Sequence, residues 1–273
     1  MRSLCGLFAV LLTAGTWLPA QSKKSAPKSA APKSAPPAPA VAKAEPKPPA
    51  PVPAEPAIHK LIYGVEWRLI RAGSVIIEDR PNWARMRLAS SGLVSKLYKI
   101  QDTYSVNFEE QFCATVSVMD ALEGKRHRET RVTFDRTQNH AFFTERDVLK
   151  DAVVRTADVA TPNCVHDVVG ALLSMRGRGA EPGQTLEVPV SDGRRSASVK
   201  LEAQEREEVK TAAGTFKTIR YEAGLMNGVV YLRKGRVFLW MSDDQRRLPV
   251  RLKLQLSFPI GSVTLELEKE ETS

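Results

Sequence analysis

Between residues 58 and 273 the apolar side chains recur at every second position over stretch after stretch. Leu61, Tyr63, Val65, Trp67 and Leu69 share one parity, while Gly64, Glu66 and Arg68 hold the other. Successive strand side chains point to opposite faces, so this alternation marks a strand with one buried and one wet face. It runs also through Phe112, Ala114, Val116 and Val118; Thr130, Val132 and Phe134; Val250, Leu252, Leu254 and Leu256; and Val263, Leu265 and Leu267. Ala72-Gly73, Glu123-Gly124-Lys125, Asp192-Gly193, Lys234-Gly235 and Ile260-Gly261 fall between strand-like runs, where glycine supplies the positive φ of a tight turn. Antiparallel neighbours in a meander follow.

One segment changes period. Val165, Val168, Val169, Leu172 and Arg176 follow 3.6-residue spacing, and Leu173 widens the stripe. Asn163 or Thr161 offers a cap and Gly177 follows, which predicts an amphipathic helix of about a dozen residues. A lone helix in a β chain must bury its apolar face against the sheet. The predicted fold is therefore mainly β, a curved antiparallel sheet or half-open β barrel wrapped around one amphipathic helix.

The first 57 residues are different material. In residues 1–20, Arg2 precedes an uncharged apolar stretch from Leu4 to Leu18, too short to span a bilayer, and Pro19-Ala20 offers a cleavage point; this reads as a secretory signal. Residues 21–57 hold 11 of the 18 prolines with repeats of Lys-Ser-Ala-Pro type, the composition of a disordered, extended linker. The rest, 58–273, suits one β domain. A periplasmic or otherwise exported protein is expected, soluble once the signal is cleaved and without an integral membrane span.

The net charge of +9 is shared unevenly. Residues 1–57 carry seven basic and two acidic side chains, leaving 33 basic and 29 acidic in the domain. A basic tether is drawn to anionic lipid or cell-wall polymer, and lysines also keep a proline-alanine segment in solution. Export and the lack of a basic-aromatic platform argue against nucleic acid.

Cys113 and Cys164 are the cysteines beyond the signal. In an oxidising compartment such a pair favours a disulfide joining strand to helix start, worth about 2 to 4 kcal/mol. The alternative, Cys164 as a thiol nucleophile beside His166, suffers because residues two apart on a helix diverge. Asp243-Asp244 invites comparison with an acid/base pair, but neighbouring acids before Arg246-Arg247 more often build a turn. His59, His127, His140 and His166 lack metal-ligand spacing, and HExxH, CxxC, GxSxG, P-loop and GxGxxG are absent, so neither metal nor cofactor is expected. Arg85, Arg87, Arg126, Arg128 and Arg131 read either as an anion-binding face or as the wet side of strands.

Trp67 followed by Ala72-Gly73, Phe134-Asp135, the helix Asp167 to Arg176, Gly214-Thr215-Phe216 after Glu207-Glu208-Val209, and Trp240-Met241-Ser242-Asp243-Asp244 with Arg247-Leu248-Pro249-Val250 and Gly261 together carry a resemblance. In their order and spacing they resemble the domain of unknown function 3108 (DUF3108) family, over nearly all of residues 58–273. The resemblance implies an exported bacterial protein with a half-closed barrel around a helix, similar to envelope lipoprotein carriers. The expected function is non-enzymatic binding of an apolar or amphipathic envelope component, a lipid for instance, in a barrel-like cavity. The expected contacts are Tyr63, Trp67, Leu69, Leu172, Trp240, Leu252 and Leu254. A scaffolding module that binds another envelope protein is the alternative, and a hydrolase using Asp243, Asp244 or His166 comes last.

Overall fold

The computed structural model describes residues 57–224, 235–256 and 261–273. The expected signal, the linker up to residue 56, Lys234 and Ile260 lie outside them. Among the described residues fourteen strands form one antiparallel sheet. The first meander is β1 (His59–Trp67), β2 (Ile70–Arg80), β3 (Trp83–Ser90), β4 (Ile100–Phe108), β5 (Ala114–Glu123), β6 (Arg126–Asp135), β7 (His140–Asp147) and β8 (Ala152–Ala160). The second is β9 (Thr185–Ser191), β10 (Ser196–Thr211), β11 (Gly214–Gly224), β12 (Gly235–Ser242), β13 (Pro249–Leu256) and β14 (Ser262–Thr272). β14 pairs with β1, so the sheet runs from β8 through β1 and β14 to β9 and is not closed.

The alternating runs supply the inner face. Leu61, Tyr63 and Val65 of β1, Val132 and Phe134 of β6, Val250 of β13 and Val263, Leu265 and Leu267 of β14 are all buried in one cluster. A second cluster gathers Val188, Val190, Leu201, Tyr221, Leu239 and Met241 from the later strands, and Leu172, Val237 and Leu252 pack against both. Each such side chain contributes about 1.5 to 3 kcal/mol of burial.

Several expectations are corrected here. The β1–β2 turn is made by Arg68 and Leu69, both at positive φ (50° and 66°), and not by Ala72-Gly73. Leu69 therefore points to solvent, 93% exposed. Gly73 instead lies within β2, where a Cβ would come 2.2 Å from the Ala89 carbonyl oxygen, so the close approach of β3 requires glycine. In β5 the predicted parity is inverted. Phe112 belongs to a 3-10 turn, and a bulge between Asn107 and Phe108 shifts the register, so Ser117, Met119, Ala121 and Glu123 are buried where Val116 and Val118 were expected. A bulge adds one residue to one strand, which exchanges the faces beyond it.

Two α-helices are present among the described residues. α1 (Gly92–Leu97), between β3 and β4, was not foreseen. α2 (Val168–Ser174) is shorter than predicted and continues as a 3-10 turn, Met175–Gly177. Its cap is Asp167, in place of Asn163 or Thr161. Val165 and His166 are held extended before it, since Ala114 N–H donates to the Val165 carbonyl (2.9 Å) and His166 N–H to the Pro189 carbonyl (3.0 Å). The helix buries Val169, Gly170, Leu173 and Ser174, whereas Val168 is 39% exposed.

Candidate functional site

Where α2 meets the inner face of β3 to β6, a hollow of about 80 Å³ remains. Met86 and Leu88 of β3, Asp102 and Tyr104 of β4, Ser117 and Met119 of β5 and Thr130 and Val132 of β6 wall it. Val168 and Val169 of α2 and Ser191-Asp192 at the end of β9 close the other side. Cross-strand register explains the grouping: Met86 pairs with Tyr104, Tyr104 with Met119, and Met119 with Thr130, one row across four strands.

The wall opposite the sheet is anchored by the segment before α2. Cys113 and Cys164 form a disulfide that ties it to the start of β5. His166 is fully buried; its Nδ1–H donates to the Phe112 carbonyl at 2.8 Å, and its own carbonyl accepts from Ser191 N–H at 2.9 Å. Burial holds the imidazole below its ordinary pKa, with the nearby Arg178 charge adding to the effect and the Phe112 bond opposing it. Asp167 accepts from Val169 N–H and Gly170 N–H, 2.9 Å each, and from the Tyr104 hydroxyl at 2.8 Å. Burial nonetheless raises its carboxyl above the ordinary pKa, and those bonds oppose the rise. Gly170 permits the close seat, since a Cβ would come 2.7 Å from the Phe108 ring.

The β9–β10 turn also faces inward. Asp192 Oδ1 accepts from Arg194 N–H and Arg195 N–H (2.8 Å each), and its Oδ2 pairs with the Arg194 guanidinium at 3.1 Å. Arg194 in turn lies 5.5 Å from the centre of the Phe143 ring on β7. Asp192 is thus a satisfied acid.

Asp102 differs. It is 6% exposed, and neither carboxylate oxygen makes a hydrogen bond of good geometry among the described residues. Burial pushes its pKa to about 7, the Glu123 carboxylate reinforces the rise, and the nearby Leu122 N–H opposes it. Glu123 is itself raised by burial, with Arg126 opposing. Further along the same row, Arg128 turns inward to Asp147 at 3.1 Å, leaving Nε and Nη1 buried without partners. A row of unpaired polar atoms inside a sheet calls for water or a ligand to complete it.

The expected contact residues are distributed otherwise. Tyr63, Leu254 and, partly buried, Leu172 and Leu252 belong to the inner core, and the Tyr63 hydroxyl donates to the Pro249 carbonyl at 2.8 Å. Trp67 is half-buried at the β1 end, near the Arg68 guanidinium. Trp240 is buried in the same cluster as Tyr63 and Leu254, and register sets it opposite Arg251 and Arg220, with Arg251 5.6 Å from its ring centre. None of the seven lines the hollow. Asp102 was missed because Gln101-Asp102-Thr103 reads as polar; only its parity with Ile100, Val106 and Phe108 marked it as inward.

The other chemical candidates are occupied. Asp244 accepts from the Ser242 hydroxyl, Arg246 N–H and Arg247 N–H, and Asp243 pairs with Arg206 at 2.8 Å. The arginine set does not form one face: Arg87 pairs with Glu78, Arg85 stacks on Trp83, and Arg128 points inward. Among the described residues no cluster of His, Cys, Asp and Glu has metal-holding geometry, and no helix is long and apolar enough to cross a membrane.

The open antiparallel sheet has a barrel-like counterpart among solved structures. A β-barrel-like protein of domain of unknown function DUF1849 from Brucella abortus superposes with a TM-score of 0.54 at 9% identity, covering 80% of this chain and 98% of that one. A DUF1089-family protein from Pseudomonas aeruginosa reaches a TM-score of 0.38 at 12% identity, over 67% of this chain and 90% of that one. No curated protein matches. The family model for DUF3108, a protein family of unknown function, matches residues 63–268, and the chain belongs to that family.

Proposed function

We propose that this chain is a non-enzymatic, exported envelope protein that accommodates an apolar or amphipathic component at the hollow between α2 and strands β3 to β6. The observation that carries the reading is that hollow, bordered by Met86, Leu88, Met119, Val132 and Val168 and left unfilled by the protein's own side chains. Protein interiors are close-packed, so an apolar space beneath a partly exposed helix residue is the kind of site a ligand completes. At about 80 Å³ it is well below the roughly 300 Å³ of a pocket for a whole drug-sized molecule. It suits the end of one chain or a small head group with a short stem.

Native mass spectrometry of the chain isolated from its host without detergent tests this. The expected result is an added small-molecule mass that is lost in Val168→Phe, which narrows the lip at a position tolerant of size. A bare chain, or a mass retained by that variant, overturns the reading.

A second reading, a scaffold that binds another envelope protein, is favoured by β8. This strand is a sheet edge, and Val153 and Val154 on it and Leu149 before it are 59%, 46% and 70% exposed. An unpaired edge is a template for an added strand.

A further inference from the structure

We infer that the hollow selects a primary alkylamine, its ammonium group on Asp102 and its first carbons among Met86, Leu88 and Met119. The inference deepens the proposal above and rests on the hollow being a ligand site.

Three observations carry it. First, the charged residues that line the hollow are two acids, Asp102 and Asp192, and among the described residues no base joins them. Second, those two acids are not equivalent. Asp192 has both oxygens engaged by its own hairpin, whereas Asp102 is 6% exposed with neither oxygen in a hydrogen bond of good geometry among the described residues, the Leu122 N–H alone lying near enough to oppose its raised pKa. Third, the inward bases pair with acids other than Asp102, Arg128 with Asp147 and Arg194 with Asp192, and neither lines the hollow, although Arg128 Nε and Nη1 and Arg194 Nε keep no partner of their own. Arg128 stands on the far side of Ala121 from Asp102, and Arg126 acts on Glu123.

A buried carboxylate needs a donor, and an ionised one needs a counter-charge. An ammonium group supplies both, with three N–H donors on a compact head. An alcohol supplies one donor and no charge, and a carboxylate or phosphate would meet Asp102 as a like charge. The apolar side chains around Asp102 then take the alkyl stem, and the volume limits it. About 80 Å³ is near half the roughly 150 Å³ of an engineered cavity that admits benzene, enough for a head group and a few carbons. A longer tail would have to leave past Val168.

The experiment is an NMR titration of the full chain with butylamine, butan-1-ol and butyrate, read at the methyl groups of Met86, Leu88, Met119 and Val168. The expected result is that butylamine binds at least tenfold more tightly than butan-1-ol, that butyrate does not bind, and that Asp102→Asn brings the amine to within twofold of the alcohol without weakening the alcohol. The comparison on the unaltered chain stands even if that variant fails to fold. Equal binding of amine and alcohol, preference for butyrate, or an amine preference that survives Asp102→Asn overturns the inference and leaves the hollow as a ligand site. Absence of shifts with all three compounds removes both the inference and the reading on which it rests.

Discussion

The Tyr104 hydroxyl donates to Asp167 Oδ2 across 2.8 Å, so a strand in the middle of the first meander and the cap of α2 share one buried proton. The same carboxylate holds Val169 N–H and Gly170 N–H. Tyr104→Phe removes one donor and leaves Asp167 two; the expected cost is about 1 to 2 kcal/mol. Asp167→Ala loses the cap and strands the buried Tyr104 hydroxyl, at about 2 to 4 kcal/mol. Urea midpoints at pH 7 check the order, and a larger loss for Tyr104→Phe would show that the hydroxyl acts elsewhere.

The disulfide spans a sequence separation of 51 residues and ties the approach to α2 onto β5. Paired Cys113→Ser and Cys164→Ser substitutions should cost about 2 to 4 kcal/mol. Reductant should lower the melting temperature of the unaltered chain and leave that of the double variant unchanged.

Asp102 makes stability depend on pH with a defined sign. Its pKa rises to about 7 in the fold from 3.8, so the folded chain keeps a proton that the unfolded chain releases first. The stability contributed by Asp102 is then greatest in acid and falls as pH rises from about 4 to about 7, by a few kcal/mol at most. Asp102→Asn removes this slope and should be the more stable protein at pH 8. Denaturant titrations from pH 4 to 8 decide it, and an unchanged slope in the variant would sink the assignment.

His59 contributes a second slope at higher pH. Its Nδ1 contacts Asp79 at 2.9 Å and its Nε2 contacts Glu270 at 3.0 Å. The Asp79 bond is the main reason its pKa is raised above 6.5; burial and the Arg176 charge oppose it, and the Glu270 bond supports it. The protonated ring therefore stabilises the fold fully below pH 6.5, and the contribution disappears as pH climbs through the raised value. His59→Gln should lose about 1 kcal/mol or more at pH 5.5 and much less at pH 9. Equal losses at both pH values would mean that packing, and not charge, is what His59 supplies.

Much of this arrangement was legible before any coordinates. Period-two alternation marked the inner faces of β1, β6, β13 and β14, because a strand's side chains must alternate whatever surrounds them. Asp192-Gly193 announced its turn, with Gly193 at φ 80°, and Cys113 and Cys164 are joined. These are local rules, or follow from counting.

The site itself was decided by tertiary structure. One bulge at Asn107/Phe108 turned Ser117 and Met119 inward, and no residue type at that position signals a bulge. Trp240 is a core aromatic as its sequence suggested, but that its ring is flanked by Arg251 follows only from the pairing of their strands. Asp102 lies in an ordinary polar tripeptide, and what buries it is Leu88 and Ala121 on neighbouring strands together with a helix some 65 residues later in the chain. Alternation along one strand fixes which side chains share a face; which of them meet across strands, and how much water they exclude, depends on register and curvature that belong to the whole sheet.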